Sequence, residues 1–225
     1  MGSKRRRSET LLQWKPDLQA GEAARDVCAA LAGESSDYTP VIDQEILSLM
    51  STSAFTPSYY TGEEAPKEVI DSILQLTKNN MERLYNQSSF LGGWSDKRKY
   101  REIKYKKTHI LLLQDQDDQI VGFISYRFVV IDEYQEPTEV CYIYEVQVNE
   151  KNRSKGIGRL LIYAVKIIAR LAKAKKLMCT VLKLNKRAIE FYRYKNGFID
   201  DESDPDVVDY ESRHENVYNI LKLEL

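Results

Sequence analysis

Residues 140–175 constrain this chain most. Residues 140–148 read as a strand. Ile157, Leu160, Leu161, Ala164, Val165, Ile168 and Leu171 then recur at helical spacing, which predicts a helix over about 157–175. Between the two stands Arg153-Ser154-Lys155-Gly156-Ile157-Gly158. Two glycines at a strand-to-helix turn let the backbone approach a ligand without a Cβ in the way. The first amides of the helix are unpaired donors, and the helix dipole favours an anion there. A pyrophosphate suits such a turn. The spacing Arg-x-x-Gly-x-Gly is neither the P-loop, which needs Gly-Lys-Ser/Thr, nor the dinucleotide pattern Gly-x-Gly-x-x-Gly. Taken alone, it reads equally well as a plain structural turn.

A second block lies downstream, beyond a strand-like stretch at 177–182. Asn185-Lys186-Arg187-Ala188-Ile189-Glu190-Phe191-Tyr192 is followed by Gly197-Phe198. Asn185 suits an N-cap and Gly197 a helix stop, giving a helix over 185–195. The two blocks in this order resemble the GNAT N-acetyltransferases. The resemblance implies an α/β fold: a mixed, twisted central sheet flanked by helices, with an N-terminal helical extension. It also implies acetyl-CoA as co-substrate, with its pyrophosphate on the Gly156–Gly158 turn, and no metal.

The chain of 225 residues suffices for one domain with extensions. The expected organisation is a basic disordered tail at 1–8, a helical extension and loop at 9–65, and the N-acetyltransferase domain at 66–225. Lys4-Arg5-Arg6-Arg7 is either a nuclear signal or simply a disordered tail. A helix is expected at 9–31, a loop at 33–60 with a short helix at 43–50, and a helix from Pro66 to about residue 87. Residues 88–107 read as loop, and Lys97-Arg98-Lys99-Tyr100-Arg101 within them as a solvated face, with a phosphate or DNA contact as the alternative. Residues 109–113 and 120–131 form a hairpin, and a last strand pair is expected near Phe198 and 217–223.

Lys+Arg 33 against Asp+Glu 34 leaves no global charge signal, so any charged partner must be met locally. Cys28, Cys141 and Cys179 match neither a disulfide framework nor a zinc site, which fits a reducing cytosolic or nuclear compartment. No apolar run has the length of a membrane span.

The strand before the glycine turn contains Cys141-Tyr142-Ile143-Tyr144-Glu145-Val146-Gln147-Val148. By alternation Tyr142 and Tyr144 share one face and Ile143 and Glu145 the other, unless a bulge intervenes. A carboxylate here can deprotonate an attacking amine, directly or through water. A free α-amine, with pKa near 8, asks far less of a base than a lysine near 10.4.

Leu76-Thr77-Lys78-Asn79-Asn80-Met81, Tyr85-x-Gln87-Ser88, Tyr142-x-Tyr144-Glu145-Val146-Gln147 and Thr180-Val181-x-Lys183-x-Asn185 resemble, more narrowly, the NatD-type Nα-acetyltransferases. That family acetylates the N-terminal serine of histones 4 and 2A, which begin Ser-Gly-Arg-Gly. The resemblance implies Glu145 as base with Tyr144 beside it. It places Tyr85, Phe90, Tyr142, Ile143, Tyr144, Thr180, Ser203 and Tyr218 at the peptide. Val146, Gln147, Val148, Ser154, Lys155, Gly156, Ile157, Gly158, Arg159 and Asn185 fall at acetyl-CoA; the wider GNAT resemblance adds Arg153 and Tyr192 there, and Tyr192 is also a candidate acid for the departing thiolate. Histone tails, a monomer, and nucleus and cytoplasm are the expected partner, state and location, with no membrane and no required nucleic acid.

The family's second carboxylate directly follows an Arg-Phe pair. Here Arg127-Phe128 is followed by Val129, leaving Asp132, Glu133 or none for that role. The acidic segment Asp200, Asp201, Glu202, Asp204, Asp206, Asp209 reads either as a recognition surface for the tail's arginine or as a solvated loop.

Overall fold

The computed structural model describes residues 55–133 and 136–225. The basic tail, the helices expected at 9–31 and 43–50, and Cys28 lie outside the described residues. In chain order the elements are β1 (Thr56–Thr61), α1 (Lys67–Ser88), α2 (Asp96–Ile103), β2 (His109–Gln114), β3 (Ile120–Glu133), β4 (Glu136–Val148), α3 (Ile157–Leu171), β5 (Lys176–Leu182), α4 (Lys186–Glu190), β6 (Ile199–Asp200), α5 (Pro205–Val208) and β7 (Tyr218–Glu224). The strands form one mixed sheet in the order β1-β2-β3-β4-β5-β7-β6. Its one parallel pair is β4–β5, joined through α3, as a parallel crossover requires.

Each face buries a separate core. On one, Leu161, Val165 and Ile168 of α3 pack with Ile124, Tyr126, Ile143 and Cys179. On the other, Ile70 and Ile73 of α1 and Ile103 of α2 meet Ile110, Leu112 and Phe123. Residues 110–113 are buried without alternation because β2 lies between β1 and β3 and is covered on both sides.

Several elements differ from the sequence expectation. Thr56–Thr61 is a strand rather than loop, paired with β2 from Thr56↔Gln114 to Thr61↔His109, so the sheet begins before Pro66. Pro57 near its start is tolerated because β1 is an edge strand. Residues 96–103 are helical, with Ser95 accepting from the Arg98 amide. The α3 helix stops at Leu171 instead of near 175, since Lys173 turns into the left-handed region (φ 58°) to enter β5. The helix expected at 185–195 is α4 continued by a π-helical turn, Phe191–Lys195.

The sheet is split where the site forms. β4 and β5 pair only from Val140↔Lys176 to Ile143↔Cys179. Beyond that level Tyr144–Val148 and Thr180–Leu182 separate, and a cleft of about 1750 Å³ opens between and around them.

Candidate active site

A β-bulge sets the chemistry. Ser125 opposes Glu145 and Tyr126 opposes Ile143, so Tyr144 is an extra residue in β4. Strict alternation would put Glu145 on the face of Ile143. The extra residue moves it to the face of Tyr142 and Gln147, under α1 and α2. There it is 5% exposed.

Its partners form a continuous polar chain. Lys99 Nζ donates to Glu145 Oε1 at 2.5 Å and to Glu102 Oε1 at 2.7 Å. Gln147 Nε2 donates to Glu145 Oε2 at 2.7 Å. Asn80 Nδ2 donates in turn to Gln147 Oε1 at 2.8 Å and to the Val148 carbonyl at 3.3 Å. The Arg153 guanidinium donates to Asn80 Oδ1 and to the same carbonyl. The chain thus runs from α2 through Glu145 to the first residue of the glycine turn.

Lys99 is therefore no solvated residue: α2 turns it inward on the side of Glu102 and Ile103, and it is buried. Burial pushes its pKa down, but Glu145 and Glu102 outweigh burial and hold it well above the ordinary lysine value. Burial raises the pKa of Glu102, against the pull of Lys99 and with the help of Glu145. Burial, reinforced by Glu145, pushes Tyr85 up to about 12.

Aromatic residues wall this end of the cleft. Tyr85 meets Phe90 and Trp94 edge-on, both at 5.6 Å between centroids. The Tyr142 hydroxyl lies 2.5 Å from Thr180 Oγ1 and bridges β4 to β5 near the level where they part. Tyr144 packs against Tyr142, and the Arg127 guanidinium stacks between the Tyr144 and Tyr105 rings at 4.2 and 4.5 Å. Tyr85, Phe90, Tyr142, Ile143, Tyr144 and Thr180 all line the cleft.

Two expected substrate residues do not. Tyr218 stands behind Phe90 at 5.4 Å. Ser203 lies beyond β6, two strands away from β5, with its amide and hydroxyl committed to Asp201 Oδ1.

The other end is built for an anion. Gly156 caps α3 with φ 86°, which only glycine adopts without strain, and a Cβ on Gly158 would meet the Phe191 ring at 3.0 Å. Leu160 is the first amide to bond back to Gly156, leaving those of Ile157, Gly158 and Arg159 without helical partners. Arg153, Ser154, Arg159 and Arg187 border the same end. Lys155 instead turns outward to Asn152 and is not on the lining.

Asn149 bonds its amide to the Val121 carbonyl, so strand alternation turns the Val146 and Val148 amides away from β3, toward the open side. Asn185 caps α4 by accepting from the Ala188 amide. Tyr192 lies between Phe191 and Phe198, and burial holds its pKa well above the ordinary tyrosine value, so proton donation from it runs uphill. The donor set and the length of the cleft fit an elongated ligand with a pyrophosphate at one end.

Asp132 and Glu133 cannot supply a second carboxylate. In β3 they lie seven and eight residues beyond Ser125, the partner of Glu145, which at ~3.3 Å per residue is roughly 23 Å or more away. The carboxylate that stands beside Glu145, across Lys99, is Glu102 of α2. Most of the acidic segment is used internally: Asp200 pairs with Arg193, Asp201 with Lys176, Glu202 with Lys222 and Asp206 with Lys183. Asp204 accepts from the Ile220 amide. Among the described residues no group of three His, Cys, Asp or Glu side chains could hold a metal ion, and no helix is long and apolar enough to cross a membrane.

The split mixed sheet, with a glycine turn feeding α3, defines an α/β architecture whose cleft opens where β4 and β5 part. The sequence profile of the acetyltransferase (GNAT) family matches residues 78–198, and the chain belongs to that family. Solved structures share the fold at low identity. An acetyltransferase from Streptococcus agalactiae is 17% identical with a TM-score of 0.55, over 77% of this chain and 99% of that one. A GNAT-family acetyltransferase from Staphylococcus aureus is 14% identical with a TM-score of 0.53, over 76% and 99%. The PaiA N-acetyltransferase of Thermoplasma acidophilum, in complex with coenzyme A, is 15% identical with a TM-score of 0.50, over 76% and 99%.

Proposed function

We propose that this protein transfers an acetyl group from acetyl-CoA to the N-terminal α-amine of histone 4 and 2A tails, in the manner of the NatD-type enzymes it resembles, and acts in the nucleus and cytoplasm. The observation that carries the reading is one cleft with two unlike ends. Helix-terminal amides and arginines suit a pyrophosphate, and a carboxylate cluster under a tyrosine wall suits an amine. The bound thioester supplies an activated acetyl group. The Val146 and Val148 amides, turned away from β3 toward the open side, would serve its carbonyl oxygen as an oxyanion hole.

An α-ammonium entering between Tyr85, Phe90, Tyr142 and Tyr144 meets Glu145 and Glu102 across Lys99. The resemblance gives the base role to Glu145. Cys141 and Cys179 are buried, and burial pushes the Cys179 thiol far up, so a thiolate relay has no support and direct transfer between the two substrates is the simpler course. The acidic segment, being internally paired, is not part of the proposal.

The test is acetyl transfer to a Ser-Gly-Arg-Gly-Lys-Gly-Gly-Lys peptide beside its N-terminally blocked copy, with mass spectrometry to place the group. Acetylation of the free serine amine alone supports the reading; lysine acetylation of both peptides replaces it with a side-chain acetyltransferase.

A further inference from the structure

We propose that Glu102 of α2 is the carboxylate that receives the proton of the acceptor amine, while Glu145 fixes Lys99 beside it; the proposal rests on the amine-transfer reading above. Both oxygens of Glu145 are engaged, Oε1 by Lys99 and Oε2 by Gln147, and the residue is 5% exposed. Protonating either oxygen would disturb one of those bonds. Glu102 differs on each count. Its side chain is 24% exposed and lines the cleft, and Lys99 holds only Oε1. Among the described residues Oε2 makes no hydrogen bond.

The charged and titratable groups facing Glu102 are Lys99 on its own helix, Tyr85 from α1, Arg127 from β3, and Tyr144 and Glu145 from β4. Arg127 does not neutralise the carboxylate directly. Its guanidinium is spent on the Glu102 main-chain carbonyl and Thr108 Oγ1 and is stacked between two rings. Burial leaves Glu102 a stronger base than an ordinary carboxylate, the direction that suits a proton acceptor near neutrality.

In the step, the α-ammonium gives one proton to Glu102 Oε2, directly or through water. Its nitrogen then forms the C–N bond to the acetyl carbon as the C–S bond breaks. The second proton shed by nitrogen ends on the departing sulfur, giving the thiol, and Glu102 releases the first to solvent. One ammonium and one thioester thus become one amide, one thiol and one proton.

The experiment measures kcat/KM for the free-amine peptide from about pH 6 to about pH 10 in wild type, Glu102→Gln and Glu145→Gln, with coenzyme A affinity by calorimetry. Glu102→Gln is expected to lose about 100-fold in rate at pH 7. It should recover as pH passes the α-amine pKa near 8, where the acceptor arrives deprotonated, and its affinity for coenzyme A should not change. Glu145→Gln, which disturbs positioning, should lose rate by one factor at every pH. A Glu102→Gln rate within about threefold of wild type at pH 7, or a loss equal at all pH values, overturns the proposal.

If Glu102→Gln does not fold, Glu102→Ala decides. Added formate then restores the rate if Glu102 is a proton acceptor, and no rescue overturns it. A wild type that modifies lysine or polyamine amines instead ends the histone reading but not the test, which is repeated on that amine with the recovery expected near pH 10.4. A wild type that acetylates no amine overturns both.

Discussion

Two buried lysine–carboxylate pairs are built around the same sheet, Lys176–Asp201 at the start of β5 and Lys99–Glu145 on the cleft floor. They differ in balance. Lys176 donates to Asp201 Oδ2 at 2.8 Å with both side chains no more than 3% exposed, and Asp201 Oδ1 is filled by Ser203. Burial works against the Asp201 carboxylate, but its bonds to Lys176 and Ser203 outweigh it and hold the pKa below the usual carboxylate range. Lys99 instead serves two carboxylates, one of them partly exposed to the cleft and pushed the other way by burial. A sealed pair, with both side chains shut away from the cleft, can only hold the fold together. A pair with a surplus acid facing a cleft can also exchange a proton. Residue type does not separate scaffold from site here; access does.

The largest effect should break the sealed pair. Lys176→Met leaves Asp201 buried beside Ser203 alone and is expected to cost about 3–5 kcal/mol of stability, read from urea midpoints, with kcat per folded molecule unchanged. A loss of kcat there would show that the two regions are not independent. Glu145→Gln is expected to do the converse, lowering kcat about 100-fold, close to 3 kcal/mol of barrier, with a smaller change in the urea midpoint.

Asn80→Ala cuts the link between Glu145 and the glycine turn. It should raise the KM for acetyl-CoA about tenfold, or ~1.4 kcal/mol, while leaving the Lys176 region's hydrogen-exchange protection intact. The smallest effect is in pH. Asp201, with its depressed pKa, contributes stability present at neutral pH and lost as pH falls through that folded value, so Asp201→Asn should flatten the acid side of the melting curve. Glu102, with its raised pKa, favours the fold only while protonated, and that contribution is lost as pH rises through its folded value. Glu102→Gln should therefore raise the melting temperature by about 2 °C at pH 7 and not at all below pH ~4. An equal shift at both pH values would mean that Glu102 carries no unfavourable charge.

Much of the fold was legible because its signals are local. The helical stripe of α3, the hairpin of β2 and β3, the Asn185 cap and the Gly197 stop each lie within a few residues of what they determine. β1 and α2 were not legible. Thr56–Thr61 is a strand because β2 offers it an edge, and Asp96–Ile103 is rich in charge that hides its inward side. The glycine turn and Tyr85, Tyr142 and Tyr144, expected at the peptide, line one cleft in the structure. The interior cluster leaves no local trace, and charge patterning alone reads Lys99 as a surface residue, whereas it is buried.

By itself, then, the sequence determined the α1 helix, the β2–β3 hairpin, the glycine turn before α3 and the strand that carries Glu145, since periodicity, capping and glycine geometry act over short stretches of chain. Only the tertiary structure decided which face Glu145 uses and what it meets there. One inserted residue at Tyr144 reverses the alternation of β4. Lys99 and Glu145 stand 46 residues apart, so no local pattern registers that packing α2 against the sheet drives one cation between two carboxylates.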